Sequence, residues 1–151
     1  MTAINKKYFV IIGLLIQMLF LTVPNYTRGE PIYSSFDIKF EEGLRSYNQA
    51  KFNMSMDIFT KLSSDYPSCS KCIYYAGKSA GRLASLSNWF KAIELARKTL
   101  KFFQKAHLLN PNDYEVTKDL AQYYHTAPIF LGGDQKKGDI LKKKALNLKK
   151  L

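Results

Sequence analysis

Two prolines do most to limit what this chain can fold into. Pro67 and Pro111 each close a stretch of helical spacing, and each is followed by a polar turn and a fresh amphipathic stretch. Proline has no backbone N–H and pushes the residue before it out of the helical region, so neither helix can run on. Phe52, Ser55, Phe59 and Leu62 precede Pro67, and Phe103 and Ala106 precede Pro111. Ile73, Ala76, Gly77 and Ala80 follow the first proline, and Thr117, Leu120, Ala121 and Tyr124 follow the second. Steps of three and four are those of one helix face. The pattern predicts an all-α chain of helix–turn–helix units.

These residues resemble the tetratricopeptide repeat, a helical hairpin of 34 residues with small residues where its helices cross and a proline at its close. Gly43, Phe52, Ser55, Phe59 and Pro67 fall at the family's places in a first unit, about 36–67. Ala76, Gly77 and Ala80 match the first helix of a second unit, 70–111, and Trp89 and Ala92 match the start of its second helix. Leu120, Ala121 and Tyr124, then Gly138 and Ala145, match a third unit, 114–151. The resemblance implies a short right-handed solenoid of about three units. Pro111 follows Pro67 by 44 residues, an excess over the repeat period. Trp89, Ile93, Ala96, Leu100 and Phe103 carry an apolar stripe through that excess, which predicts one long helix over 89–109. The segment Ala127–Asp134, with Pro128 and Gly132-Gly133, reads as a turn inserted in the third unit and looks like the loop of a subgroup of exported bacterial repeat proteins. A solvating cap helix, usual after the last repeat, is not found before Leu151.

The first 29 residues read as an address. Lys6 and Lys7 precede sixteen uncharged residues, Tyr8–Val23, a run short for a membrane-spanning helix but suited to a secretory signal. The expectation is a signal peptide or an uncleaved membrane anchor helix over 1–29, and a helical repeat domain over 30–151. Either places the domain in the periplasm or outside the cell, with anchoring at the inner membrane as one form.

The formal net charge of +11 invites a nucleic-acid reading, but its distribution argues otherwise. The blocks 1–29, 30–70, 71–105, 106–135 and 136–151 carry +3, −2, +7, −3 and +6. An exported nucleic-acid binder is disfavoured. The tail bears Lys136, Lys137, Lys142, Lys143, Lys144, Lys149 and Lys150, with Leu141, Ala145 and Leu148 on one stripe. It reads as a final packing helix, as a contact to anionic lipid or polymer, or as a flexible tail.

No catalytic constellation is legible. There is no nucleophile elbow, no phosphate-binding glycine loop, and no His with an orienting acid close in sequence. Cys69 and Cys72 stand at the turn into the second unit. They could form a structural disulfide, remain thiols or do redox work. Zinc would need four ligands, and His107 and His125 lie far from the pair in sequence. No metal or cofactor is expected, and no enzymatic activity.

In the repeat family the first helix of each hairpin lines a concave groove. That resemblance points to Phe40, Leu44, Tyr47 and Asn48, then Lys71, Tyr74, Lys78 and Arg82, then Lys118, Gln122 and His125. Lys71, Tyr74, Lys78 and Arg82 also share one helix face by spacing alone. The expected function is a non-enzymatic adaptor whose groove holds an acidic or carboxylate-bearing peptide. Arg82 or Lys78 would pair with the carboxylate, and Tyr47 and Tyr74 would pack on its stem. The rival readings are the Lys-rich tail as an envelope-surface binder and the cysteine pair as a redox centre.

Overall fold

The computed structural model describes residues 34–150. The signal or anchor expected over 1–29 lies outside them, as does Leu151. The described residues form six α-helices, one 3-10 turn and no strand. They are α1 (Ser35–Asn48), α2 (Phe52–Asp65), α3 (Ser70–Leu86), α4 (Trp89–Leu109), α5 (Tyr114–Thr126), the turn Ile129–Leu131, and α6 (Gln135–Leu148). Each helix packs chiefly on its neighbours in sequence. No helix among the described residues is long and apolar enough to cross a membrane.

Local chemistry sets these boundaries. Ser34 and Asp37 form a reciprocal cap at the start of α1: Asp37 N–H donates to Ser34 Oγ at 3.2 Å, and Ser34 N–H donates to Asp37 Oδ2 at 3.1 Å. Asn88, Asp113 and Asp134 cap α4, α5 and α6 through side-chain oxygens that accept from the first-turn amides. α2 and α4 end at Asp65 and Leu109, and their C-cap residues Tyr66 and Asn110 each stand immediately before a proline.

Packing rests on an aromatic ring set into a glycine gap. A Cβ on Gly43 would stand 2.8 Å from the Phe59 ring, and one on Gly77 2.8 Å from the Phe103 ring. So α1 meets α2, and α3 meets α4, at a separation that only a missing side chain permits. Phe59 is fully buried and stacks on Tyr75 of α3 with centroids 5.1 Å apart, which joins the first hairpin to the second. Beside it, Ser79 Oγ donates to Ser55 Oγ at 2.9 Å, so both buried hydroxyls are satisfied.

The second hairpin differs from the expected register. Gly77 follows Gly43 by 34 residues, but Phe103 follows Phe59 by 44. The counterparts of Ser55, Phe59 and Leu62 are therefore Thr99, Phe103 and Ala106, all buried, and not Trp89 and Ala92. The excess lengthens α3 and α4 at the turn they share. Of the expected stripe Trp89, Ile93, Ala96, Leu100 and Phe103, only Phe103 lies on the main buried face of α4. That face is Leu95, Thr99, Phe103 and Ala106, rotated roughly a quarter turn away. The rest of the stripe serves a second neighbour instead: Tyr123 of α5 donates its hydroxyl to Ala96 O at 2.9 Å, and Leu100 packs on Gly132. One long helix thus presents two faces to two partners.

The third pair closes through the inserted turn. Gly132 has φ 91°, a left-handed value that glycine adopts without strain, and Asp134 N–H returns to Tyr124 O at 2.9 Å. Gly138 of α6 lies against the His125 ring of α5, and Gly138 and Ala145 are the buried positions of the lysine-rich helix. That segment is a packed helix through Leu148.

Gly77→Ala should lose about 1–3 kcal/mol, because its new methyl meets Phe103 and the Phe102 Cβ at 2.8–2.9 Å. Gly81→Ala, whose methyl would have ordinary 3.4 Å contact with Thr99, should be neutral or gain up to about 1 kcal/mol. Chemical denaturation of the two variants decides it, and equal effects would refute the packing argument.

Candidate functional site

The residues singled out from sequence do not form one patch. Tyr47, Tyr74 and Lys78 come together where α1 and α3 face one another. Lys78 Nζ lies over three rings, 5.4 Å from the centroid of Tyr47, 5.3 Å from Tyr74 and 5.7 Å from Tyr75. An ammonium above ring faces is attracted by their quadrupoles. One turn further along α3, the Arg82 guanidinium lies 5.3 Å from the Phe52 ring and is exposed to solvent. Lys71 and Asn48 are exposed towards the ends of α3 and α1.

Tyr74 is 4% exposed and belongs to the core with Ile73, Phe103, Val116 and Leu120. Its hydroxyl donates to Asp119 Oδ2 of α5 at 2.8 Å. Burial, and then the Asp119 charge, push its ionisation far above the usual phenol range, so it stays a donor at any ordinary pH. Its ring supports Lys78, but at 4% exposure it is not open to a ligand stem. Tyr47 is half-buried, and burial raises its pKa too, with Arg82 opposing.

Lys118 and Gln122 sit elsewhere. With Tyr114, Ala121, His125, Lys142 and Leu146 they line a groove of about 410 Å³ between α5 and α6. Lys118 pairs with Glu115, whose hydrogen bond is the main reason its pKa is raised, and lies 3.9 Å from Asp119. Two acids therefore interrupt the face expected to be basic. Spacing could have revealed Glu115, Asp119 and Gln122 on one side of α5. Nothing local could have paired Asp119 with Tyr74, 45 residues away.

Cys69 and Cys72 are joined as a disulfide with Cα atoms 5.3 Å apart at the start of α3. Cys72 is fully buried in the core cluster beside Phe59, Leu62 and Ala76. Among the described residues no group of three or more His, Cys, Asp or Glu side chains could hold a metal ion. His107 rests 3.2 Å from the Thr117 hydroxyl, and burial lowers its pKa.

No family model matches the chain, and no curated protein matches it closely enough to count. Its site must be read from its own residues.

Tyr74→Phe should cost about 1 kcal/mol by leaving Asp119 without its donor, with the helical signal retained. An unchanged thermal midpoint would show that this bond contributes nothing. Reduction of the disulfide frees a very short loop, and should lower stability by about 2 kcal/mol in denaturant titrations with and without reductant.

Proposed function

We propose that this chain is an exported, non-enzymatic adaptor of the tetratricopeptide type, a short right-handed solenoid that holds a protein or peptide segment. Three sequential helical hairpins and the repeated Gly–Phe contacts 43–59 and 77–103 support the repeat reading. The basic, apolar stretch over 1–29 supports export to the periplasm or beyond.

One observation carries the binding reading. α3 bears Lys71, Lys78 and Arg82 and no acid, and its middle cation is held in place by three tyrosine rings with an exposed arginine one turn on. A lysine immobilised in advance loses little rotamer entropy on pairing, and an exposed guanidinium can grip a carboxylate with two bonds. The ligand that suits this face is an extended segment with an acidic or terminal carboxylate near Arg82. Asp119 and Glu115 would oppose a uniformly acidic ligand and favour a donor or cation beyond the carboxylate.

Arg82→Glu, at an exposed position, should leave the fold intact and weaken retention of acidic peptides on an immobilised array by at least about tenfold relative to neutral ones. Equal retention by variant and parent would sink the groove assignment.

A further inference from the structure

The lengthened second hairpin leaves a feature that groove binding does not use. α3 runs nine residues past Gly77, where α1 runs five past Gly43, and α4 begins ten residues before Thr99, where α2 begins three before Ser55. At 1.5 Å per residue, the shared turn of α3 and α4 stands about 6–10 Å beyond that of α1 and α2. The projecting end carries large apolar side chains. Leu86 is 72% exposed, Trp89 65% and Phe90 84%. The inserted 3-10 turn adds Ile129 at 91% and Phe130 at 56%, and the Phe130 ring lies 6.4 Å from that of Trp89. The turns after α1, α3 and α5 all lie at this end of the hairpins. Most proteins of this size do not gather such residues in one exposed place without a partner.

The chemistry around the patch indicates what covers it. Lys51 and Lys91 line a shallow groove with Leu86, and Arg82 lies one helical turn back along α3. Glu94 and Asp134, close to the tip in sequence, are already engaged: Glu94 with Lys98 at 2.7 Å, and Asp134 with Lys137 at 3.3 Å. An aromatic tip flanked by Lys51 and Lys91, which pair with no acid among the described residues, complements an anionic bilayer interface. Indole and phenyl rings settle at the boundary of head groups and acyl chains, and lysines meet lipid phosphates. The patch is a convex projection built from two separate turns. It offers no cleft to grip a peptide, and a fluid surface moulds to it. Docking of a second copy end to end would bring two clusters of Lys51, Lys91 and Arg82 to one interface, which like-charge repulsion opposes.

We propose that the α3–α4 tip, with Leu86, Trp89, Phe90, Ile129 and Phe130, inserts shallowly into an anionic lipid bilayer. The tip orients the inner face of the hairpins relative to that surface. This contact lies outside the tyrosine-lined Lys78 site and the lysine-rich face of α6, and shares only Arg82, at its edge, with the proposed peptide groove.

Trp89 is the sole tryptophan of the chain, so its fluorescence reports on this tip alone. The full chain is mixed with vesicles of phosphatidylglycerol and phosphatidylcholine, with and without brominated acyl chains. Trp89 emission should shift to the blue and be quenched by bromines placed near the head groups. The variant Phe90→Ser/Phe130→Ser should lose most of that quenching with an unchanged thermal midpoint, since both side chains are exposed. Reversal of Lys51 and Lys91 to Glu should remove the preference for anionic over neutral vesicles. Unquenched Trp89 on vesicles that cosediment with the protein would overturn the proposal, because the chain would then be held by another segment. A blue shift that grows with protein concentration without lipid, and that brominated lipid does not quench, would overturn it in favour of self-association.

Discussion

An aromatic ring lodged against a glycine in the facing helix is the contact on which the rest of the structure depends. At Gly43–Phe59 and again at Gly77–Phe103 the backbone of one helix comes close enough to touch the ring of the next. That distance fixes how Phe59 reaches Tyr75, and so how the first hairpin sits on the second. A close-packed interior transmits such a constraint, because no slack exists to absorb a methyl group. The Ser55–Ser79 bond ties α2 to α3, and the Tyr74–Asp119 bond ties α3 to α5.

The same contact explains the irregular second hairpin. Its Gly–Phe pair is kept although ten residues intervene beyond the first pair's spacing, so the additional chain had to leave at the free end. The extension gives α4 a second working face, on which Ala96 and Leu100 receive α5 and the inserted turn. It also leaves Trp89 and Phe90 largely exposed, with Phe130 of the inserted turn beside Trp89. Packing and surface chemistry are thus linked by one register.

Much of the fold was legible along the chain. Pro67 and Pro111 mark the ends of α2 and α4, and Asn88, Asp113 and Asp134 stand where caps are needed, because proline and capping side chains act within a few residues. The stripe of α4 was legible as apolar but not as to which neighbour it served. Spacing alone cannot tell two packed faces apart when both are apolar. The site was less legible. Lys71, Lys78 and Arg82 were recoverable from helical periodicity, but Tyr74 looked like a surface residue and is buried. Asp119, which bonds it, carries no local signal, and Lys118 and Gln122 face a groove with α6 and not the α3 cations.

By itself the sequence determined that the described chain is helical, where its helices stop, and that basic charge gathers on α3, α4 and α6, because propensity, proline geometry and charge act locally. Only the tertiary structure decided that Phe103 and not Trp89 fills the second glycine gap, that Lys78 rests among Tyr47, Tyr74 and Tyr75, and that an aromatic tip stands exposed beside Lys51 and Lys91. Those outcomes compare residues tens of positions apart, and the free energy of close packing chooses among registers that the local pattern leaves equivalent.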